Sequence, residues 1–393
     1  MLRLLALAFF MLLLQGLCTY LLYVRWFKPP VWPFGKKRLL LSLMGTLCLL
    51  MPLGHFCWSR FYQAWAGALY WLGCFWLGIL LYAFCTVVLA DLALLLVRIF
   101  RKPSLRLRRQ AAALSALVAL GLCSYGAFVV AKGPQVKERE VVLEKLSPAF
   151  DGFRVAVVAD AHLGTPGLGR AFSERLVAQI NALEADVVAL VGDMVDRDVE
   201  SLVEAVAPLQ NLRAKHGVLV VMGNHEYFHA PLAWIEHFKS LGLRVLGNER
   251  VELERMALVH PEADTAVPVF LAFAGVHDLF ASRMGHRSDL QAALEGWEKA
   301  TPLVLLSHQP RLWKEAREAG VDLMLSGHTH GGQLWPLHYA SAQINHYVQG
   351  LYREQDAQLY VTTGAGHWGP PMRIGAPPEI ALLRLRSPAQ KQP

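Results

Sequence analysis

Seven residues of metal-binding type follow the ends of five short apolar runs in this chain. Val155–Ala159 leads into Asp160, Ala161 and His162, Val187–Val191 into Gly192 and Asp193, and Val218–Met222 into Gly223, Asn224, His225 and Glu226. Leu303–Leu306 leads into Ser307, His308, Gln309 and Pro310, and Leu323–Leu325 into Ser326, Gly327, His328, Thr329, His330, Gly331 and Gly332. Taken singly, each is ordinary, since Asp and Asn after a strand commonly close a turn. Turns and caps have no reason to choose His four times, so the joint pattern points to metal. Carboxylate, imidazole and amide donors without thiolate suit Mn, Fe or Zn rather than soft-metal sites. Two such ions about 3.5–4 Å apart make a clamp for in-line displacement at phosphorus.

The five runs sit in a stretch that alternates strands and helices. Expected strands are Glu140–Leu146, Arg154–Ala159, Asp186–Val191, Gly217–Met222, Leu243–Leu246, Val269–Ala274, Leu303–Leu306, Asp322–Leu325, Leu359–Thr362 and Glu379–Leu385. Between them, Gly169–Glu184, Leu202–Lys215, Pro231–Leu241, Ser288–Ala300 and Arg311–Ala319 have helical patterning. Such alternation predicts an α/β layered domain. In such sheets binding residues gather outside the carboxyl ends of the strands, which would bring all five loops to one edge.

The first third of the chain is different. Met1–Gly133 holds fourteen Lys and Arg and a single acid, Asp91, a net of +13, against −6 for the remainder. All six cysteines lie in this third, scattered among Leu and Phe, and read as small buried hydrophobes. Four apolar stretches, Leu4–Val24, Leu39–Trp58, Ala64–Val97 and Ala111–Val130, predict four transmembrane helices, since about 20 apolar residues cross the hydrocarbon core. The third is read as one span over about 66–90, with Asp91 near the headgroups. The loops after spans one and three carry eleven Lys and Arg against three on the other side, which places those loops in the cytoplasm. The expected organisation is a membrane domain over 1–132, a linker over 133–138, an α/β domain over 139–386 and a tail over 387–393. The basic total belongs to the membrane third. No basic stripe with stacking aromatics appears in the acidic part, so a nucleic-acid partner is not expected.

The ordered motifs D-A-H, G-D, G-N-H-E, S-H-Q-P and G-H-T-H-G-G-Q resemble the signature of the calcineurin-like metallophosphoesterases. Leu325–Gln333, Thr363–Arg373 and Pro378–Ile380 resemble the membrane-associated branch of that superfamily, some members of which carry N-terminal spans. The resemblance runs from about Glu140 to Leu385 and implies a four-layer α/β/β/α sandwich with two facing sheets. It implies that Asp160, His162 and His330 hold one divalent ion and Asn224, His308 and His328 a second, with Asp193 shared. It further implies that His225 contacts the phosphate and protonates the leaving oxygen. One departure is Glu226, where many relatives have Asp. Asp196 is read either as a group orienting a ligand or as a cap of the next loop, and Arg373 either as a phosphate contact or as a partner of Glu379.

The expected activity is therefore hydrolysis of phosphate mono- or diesters, or of pyrophosphates, with two ions of Mn, Fe or Zn. Water shared between two dications has a strongly lowered pKa, so hydroxide is available at neutral pH. Four spans exceed what an anchor needs, which weights the expected substrate toward a phospholipid or a lipid-linked phosphate. The charge bias places the protein in a cytoplasmic (inner) membrane with the α/β domain on the extracytoplasmic side. Two rival readings are a transporter with a regulatory outer domain and a metal-dependent sensor. The spans show no Gly- or Pro-broken pair of helices, which weighs against the first. A sensor needs no proton donor such as His225, which weighs against the second.

Overall fold

The structure, a computed structural model, describes residues 12, 13, 15–27, 34–258 and 265–388. The chain divides into two compact units, one of residues 1–131 with Trp368–Ile374 and one of residues 132–367 with 375–393.

In the first unit, helices α1 (Phe34–Phe61), α2 (Ala64–Phe100) and α3 (Leu105–Lys132) carry the apolar sequence. Among the described residues three helices, not four, are long and apolar enough to cross a membrane: Arg38–Phe61, Ala64–Phe100 and Leu105–Lys132. Of the expected first span, Leu4–Val24, residues 4–11 and 14 lie outside the described residues; the described part is helical at 12, 13 and 15–22 and closes in the π-helical turn Tyr23–Phe27. At 37 residues α2 measures about 55 Å, well beyond one hydrocarbon core. Backbones of α1 and α2 approach so closely that a Cβ on Gly54 would stand 2.5 Å from the Tyr70 nitrogen. Small residues at such crossings let helices pack without a hydrophobic driving force. Asp91 is not a lone buried acid: its Oδ2 lies 2.8 Å from Arg25 Nε. The segment Trp368–Ile374 clusters with these helices, and the Arg373 N–H donates to the Gly126 carbonyl at 3.1 Å.

The second unit holds twelve described strands in two six-stranded sheets. They are β1 (Gln135–Val142), β2 (Phe153–Val158), β3 (Val187–Val191), β4 (Val218–Val221), β5 (Arg244–Val245), β6 (Glu249–Leu258), β7 (Ala266–Gly275), β8 (Leu303–Leu306), β9 (Leu323–Ser326), β10 (Gly350–Glu354), β11 (Ala357–Val361) and β12 (Glu379–Arg386). The sheet orders are β1-β12-β2-β3-β4-β5 and β10-β11-β9-β8-β7-β6. Strands β2 to β5 are parallel in the first sheet, and β7, β8, β9 and β11 in the second.

Alternation along each strand assigns the two faces. Val155, Val157, Val187 and Ala189 of one sheet meet Leu271, Phe273, Val304, Leu306 and Leu323 of the other in a single apolar core. The opposite set on the second sheet, including Ala272, Leu303, Leu305 and Met324, packs with Trp313 and Ala316 of the helix Trp313–Ala319. Ala156, Val158, Val188 and Leu190 on the outer face of the first sheet are buried as well. Sheets covered on both faces need continuous apolar strands, which is what the five runs supply.

Several expected boundaries shift. Strand β1 begins at Gln135 rather than Glu140, pairing from Gln135↔Glu379 to Val142↔Arg386, so the expected linker 133–138 reduces to Gly133 and Pro134. As an edge strand with exposed Glu138, Arg139 and Glu140 it has no apolar alternation to betray it. The expected helix Leu202–Lys215 is helical over Val199–Val206 and tightens to a 3-10 turn at Ala207–Asn211, because Pro208 lacks the N–H the α-helix needs. The expected helix Ser288–Ala300 is confined to Leu290–Leu294. Strands β6 and β10 were not expected, nor was the helix His338–Asn345.

Candidate metal centre

The carboxyl ends of β2, β3 and β4 in one sheet and of β8 and β9 in the other deliver all seven expected ligands. Their loops are sewn to one another by backbone hydrogen bonds. Asp160 N–H donates to Gly192 O at 3.0 Å, His162 N–H to Asp193 O at 3.1 Å, and Gly327 N–H to His308 O at 2.9 Å. Five of the seven, Asp160, His162, Asp193, His328 and His330, hold positive φ between 48° and 71°. That conformation is rare for residues with a Cβ and strain of this kind collects at functional sites. A further loop closes over Asp160: a Cβ on Gly364, at φ +78°, would stand 2.6 Å from the Asp160 Cβ.

Two groups of donors converge. In the first, His162 Nε2 and His330 Nε2 are 3.0 Å apart, and His330 Nε2 is 3.6 Å from Asp160 Oδ1. In the second, Asp193, His308 and His328 bring one donor atom each within 4.8 Å of one another, with His308 Nε2 3.1 Å from Asp193 Oδ2. The His308 Nδ1–H donates to the Val191 carbonyl at 2.8 Å, which leaves Nε2 as the lone-pair nitrogen. Asn224 stands at the start of the short helix Asn224–Phe228, buried. Asp193 Oδ1 accepts the His225 N–H at 2.8 Å.

Asp196 holds two imidazole rings. Its Oδ1 lies 2.6 Å from Nδ1 of both His162 and His225, and its Oδ2 accepts the Thr165 hydroxyl at 2.6 Å. Asp196, His162 and His225 also fall close enough to suggest a third metal group. The Asp196 oxygens are already committed to those three donors, so it serves as an acceptor that fixes the rings. His225 Nε2 faces inward, 3.8 Å from Asp193 Oδ2.

Glu226 has a role sequence reasoning did not find. Fully buried, it accepts backbone N–H groups of Asp193 (3.0 Å), Met194 (2.6 Å), Val195 (3.1 Å) and Gly223 (2.6 Å). One carboxylate thus clamps the β3 and β4 loops together. Arg373 is fully buried, while Glu379 pairs with Lys137 at 2.6 Å and accepts the Tyr360 hydroxyl at 2.9 Å. His367 is buried in the segment following Gly364.

The electrostatics suit cations. Burial pushes the Asp160 carboxyl up to about 6. Burial acts the same way on Asp193, but His308 and His225 outweigh it and hold that carboxyl below its ordinary range. Burial works to lower His225, yet Asp193 and Asp196 raise it to about 9. His328 is lowered to about 4, first by burial and then by the His308 charge. The donor set fits divalent ions on its own terms, since Asn224 Oδ1 is buried with no hydrogen-bond partner. Buried polar atoms are almost always paired, and orphans call for a ligand or ion.

A family model described as calcineurin-like phosphoesterase matches residues 153–332. Similar curated proteins include a transmembrane protein with metallophosphoesterase domain from Bos taurus, 37% identical over 282 residues, covering 70% of this chain and 62% of that protein. An uncharacterized metallophosphoesterase of Helicobacter pylori is 36% identical over 255 residues, covering 64% of each chain. Another, from Aquifex aeolicus, is 30% identical over 256 residues, covering 64% of this chain and 92% of that protein. The chain thus spans less than two thirds of the length of the first two relatives and nearly all of the third.

Proposed function

The chain belongs to the calcineurin-like phosphoesterase family, and from that premise we propose that it is a membrane-anchored hydrolase of phosphate esters or pyrophosphates using two divalent metal ions. The observation that carries this reading is the orphaned buried Asn224 Oδ1 beside a convergent cluster of histidines and carboxylates.

Asp160, His162 and His330 would hold one ion and Asn224, His308 and His328 the other, with Asp193 available to both. When bound, two such ions lower the pKa of water and neutralise charge that builds on phosphoryl oxygens. The protein's own residues do the rest. Asp196 keeps His162 in the tautomer that offers Nε2 as a ligand, and Val191 does so for His308. With its Nδ1 held by Asp196, His225 presents Nε2–H to the site as the proton donor for the leaving oxygen. A raised His225 keeps that proton at neutral pH. Glu226 holds the two loops that carry Asp193 and Asn224 in register.

The substrate is proposed to be a phospholipid or lipid-linked phosphate, and the catalytic unit to lie on the extracytoplasmic side. The exposed Trp335, Tyr339 and Trp368 supply amphipathic rings of the kind that sit at headgroup level. The test is turnover by the full chain purified in detergent with Mn²⁺. Substrates are bis-p-nitrophenyl phosphate, p-nitrophenyl phosphate and extracted lipids, each with and without chelator. Chelator-sensitive hydrolysis is expected; no turnover of any phosphoester by metal-loaded, folded protein would sink the reading.

A further inference from the structure

The membrane unit holds a cavity of about 1140 Å³ that plays no part in the proposed reaction and contains none of the metal-site residues. Its lining includes four arginines, Arg25, Arg98, Arg108 and Arg109, against one acid, Asp91. Asp91 already pairs with Arg25 at 2.8 Å and is the only acid in Met1–Gly133. Three guanidinium groups on the ends of α2 and α3 therefore share one cavity with no carboxylate left to balance them. The rest of the lining is largely apolar, with Val87, Leu95 and Ala112 about a helical turn or more along from these charges.

The placement of these cations is unfavourable without a ligand. Arg106, Arg108 and Arg109 crowd the beginning of α3, the positive end of its dipole, and the first turn has no acid. Cations at that end lose free energy where anions would gain it. Ser104 caps the same end by accepting the Leu107 N–H at 3.2 Å, which orders the turn carrying the arginines. A second polar contact ties the walls together, since the Trp26 indole N–H donates to the Ser115 hydroxyl at 3.0 Å.

We propose that this cavity binds the phosphodiester headgroup of an anionic phospholipid, with Arg98, Arg108 and Arg109 on the phosphate and the acyl chains along the apolar residues of the lining. Guanidinium groups bind phosphate oxygens through paired charge-assisted hydrogen bonds, and basic pockets between membrane helices are suited to lipid headgroups. A soluble phosphate would use the charges but not the apolar wall, and a zwitterionic lipid would bring its own cation against the arginines.

The test is native mass spectrometry of the full chain in detergent, supplemented with equal phosphatidylglycerol or phosphatidylcholine. The variant Arg108→Gln/Arg109→Gln is compared with Arg101→Gln/Arg106→Gln, which removes the same charge from residues outside the lining. Expected is selective retention of phosphatidylglycerol, weakened at least about tenfold by the first pair and little changed by the second. Equal loss in both pairs would reduce the effect to general attraction and overturn the site. On the unaltered chain, equal retention of the two lipids would overturn it, as would displacement of phosphatidylglycerol by an equal concentration of inorganic phosphate.

Discussion

Asp196 Oδ1 stands 2.6 Å from His225 Nδ1, so the nitrogen that His225 turns toward Asp193 is Nε2. The same oxygen is 2.6 Å from His162 Nδ1, so one carboxylate sets the orientation of a proposed ligand and of the proposed acid. Asp196→Asn keeps the shape but offers only one acceptor oxygen to three donors. Activity should fall about 10–100-fold, the usual cost of losing a group that orients a metal ligand. Metal content and pH–rate profile should both shift. Full activity with an unchanged profile would show that neither ring depends on Asp196.

Glu226 joins the β3 and β4 loops through four backbone N–H groups. Glu226→Ala leaves those donors buried without an acceptor, at about 1–3 kcal/mol each before relaxation. Even about 3 kcal/mol in all would lower the melting temperature of a domain of this size by roughly 6–12 °C. Glu226→Asp should recover part of the loss. Calorimetry of both variants checks this, and an unchanged melting temperature for Glu226→Ala would contradict the clamp.

Metal affinity should rise with pH. Burial works to lower His308, but Asp193 holds its imidazole well above the ordinary histidine value, so a proton competes for Nε2 with any metal. The protonated form persists below the raised pKa, so binding there must expel a proton, and less must be expelled as pH climbs. Titration calorimetry in two buffers of different ionisation enthalpy should show proton release on binding Mn²⁺, with tighter binding at pH 8 than at pH 6. Binding without proton release would contradict the use of His308 as a ligand.

Much of this centre was legible in the residues. Five apolar runs ending in Asp, Asn or His mark buried parallel strands whose loops meet at one edge, and β2, β3, β4, β8 and β9 lie within a residue or two of where they were expected. Of the edge strands, β5 was expected, β1 only in part, and β6 and β10 not at all. In β6, Glu252 and Glu254 alternate with Val251 and Leu253, the period-two pattern of a strand with one wet face, so the residues did carry a signal there although no strand was expected. The Glu226 clamp and the double use of Asp196 were hidden. Both depend on positive-φ turns at Asp160, His162 and Asp193, a backbone choice that Asp and His do not announce. Nor does anything local in Trp368–Ile374 mark it as a segment that clusters with the membrane helices.

The proposed orientation follows from the basic segments Lys36–Arg38 and Arg98–Arg109, which the charge bias assigns to the cytoplasmic side. A C-terminal alkaline-phosphatase fusion should be active and a fluorescent-protein fusion dark. The reverse pair would place the catalytic unit in the cytoplasm.

The central claim is that adjacent residues divide the labour, Asn224 holding metal and His225 moving a proton. It is tested most directly by measuring metal content and turnover together for His225→Ala and Asp193→Ala, on esters with good and poor leaving groups. For His225→Ala, near-normal metal content is expected, with a loss of about 10²–10⁴-fold on alkyl esters that shrinks for nitrophenolate. Asp193→Ala should lose metal and activity together on both kinds of ester. An emptied site in His225→Ala, with both metals retained in Asp193→Ala, would contradict the assignment.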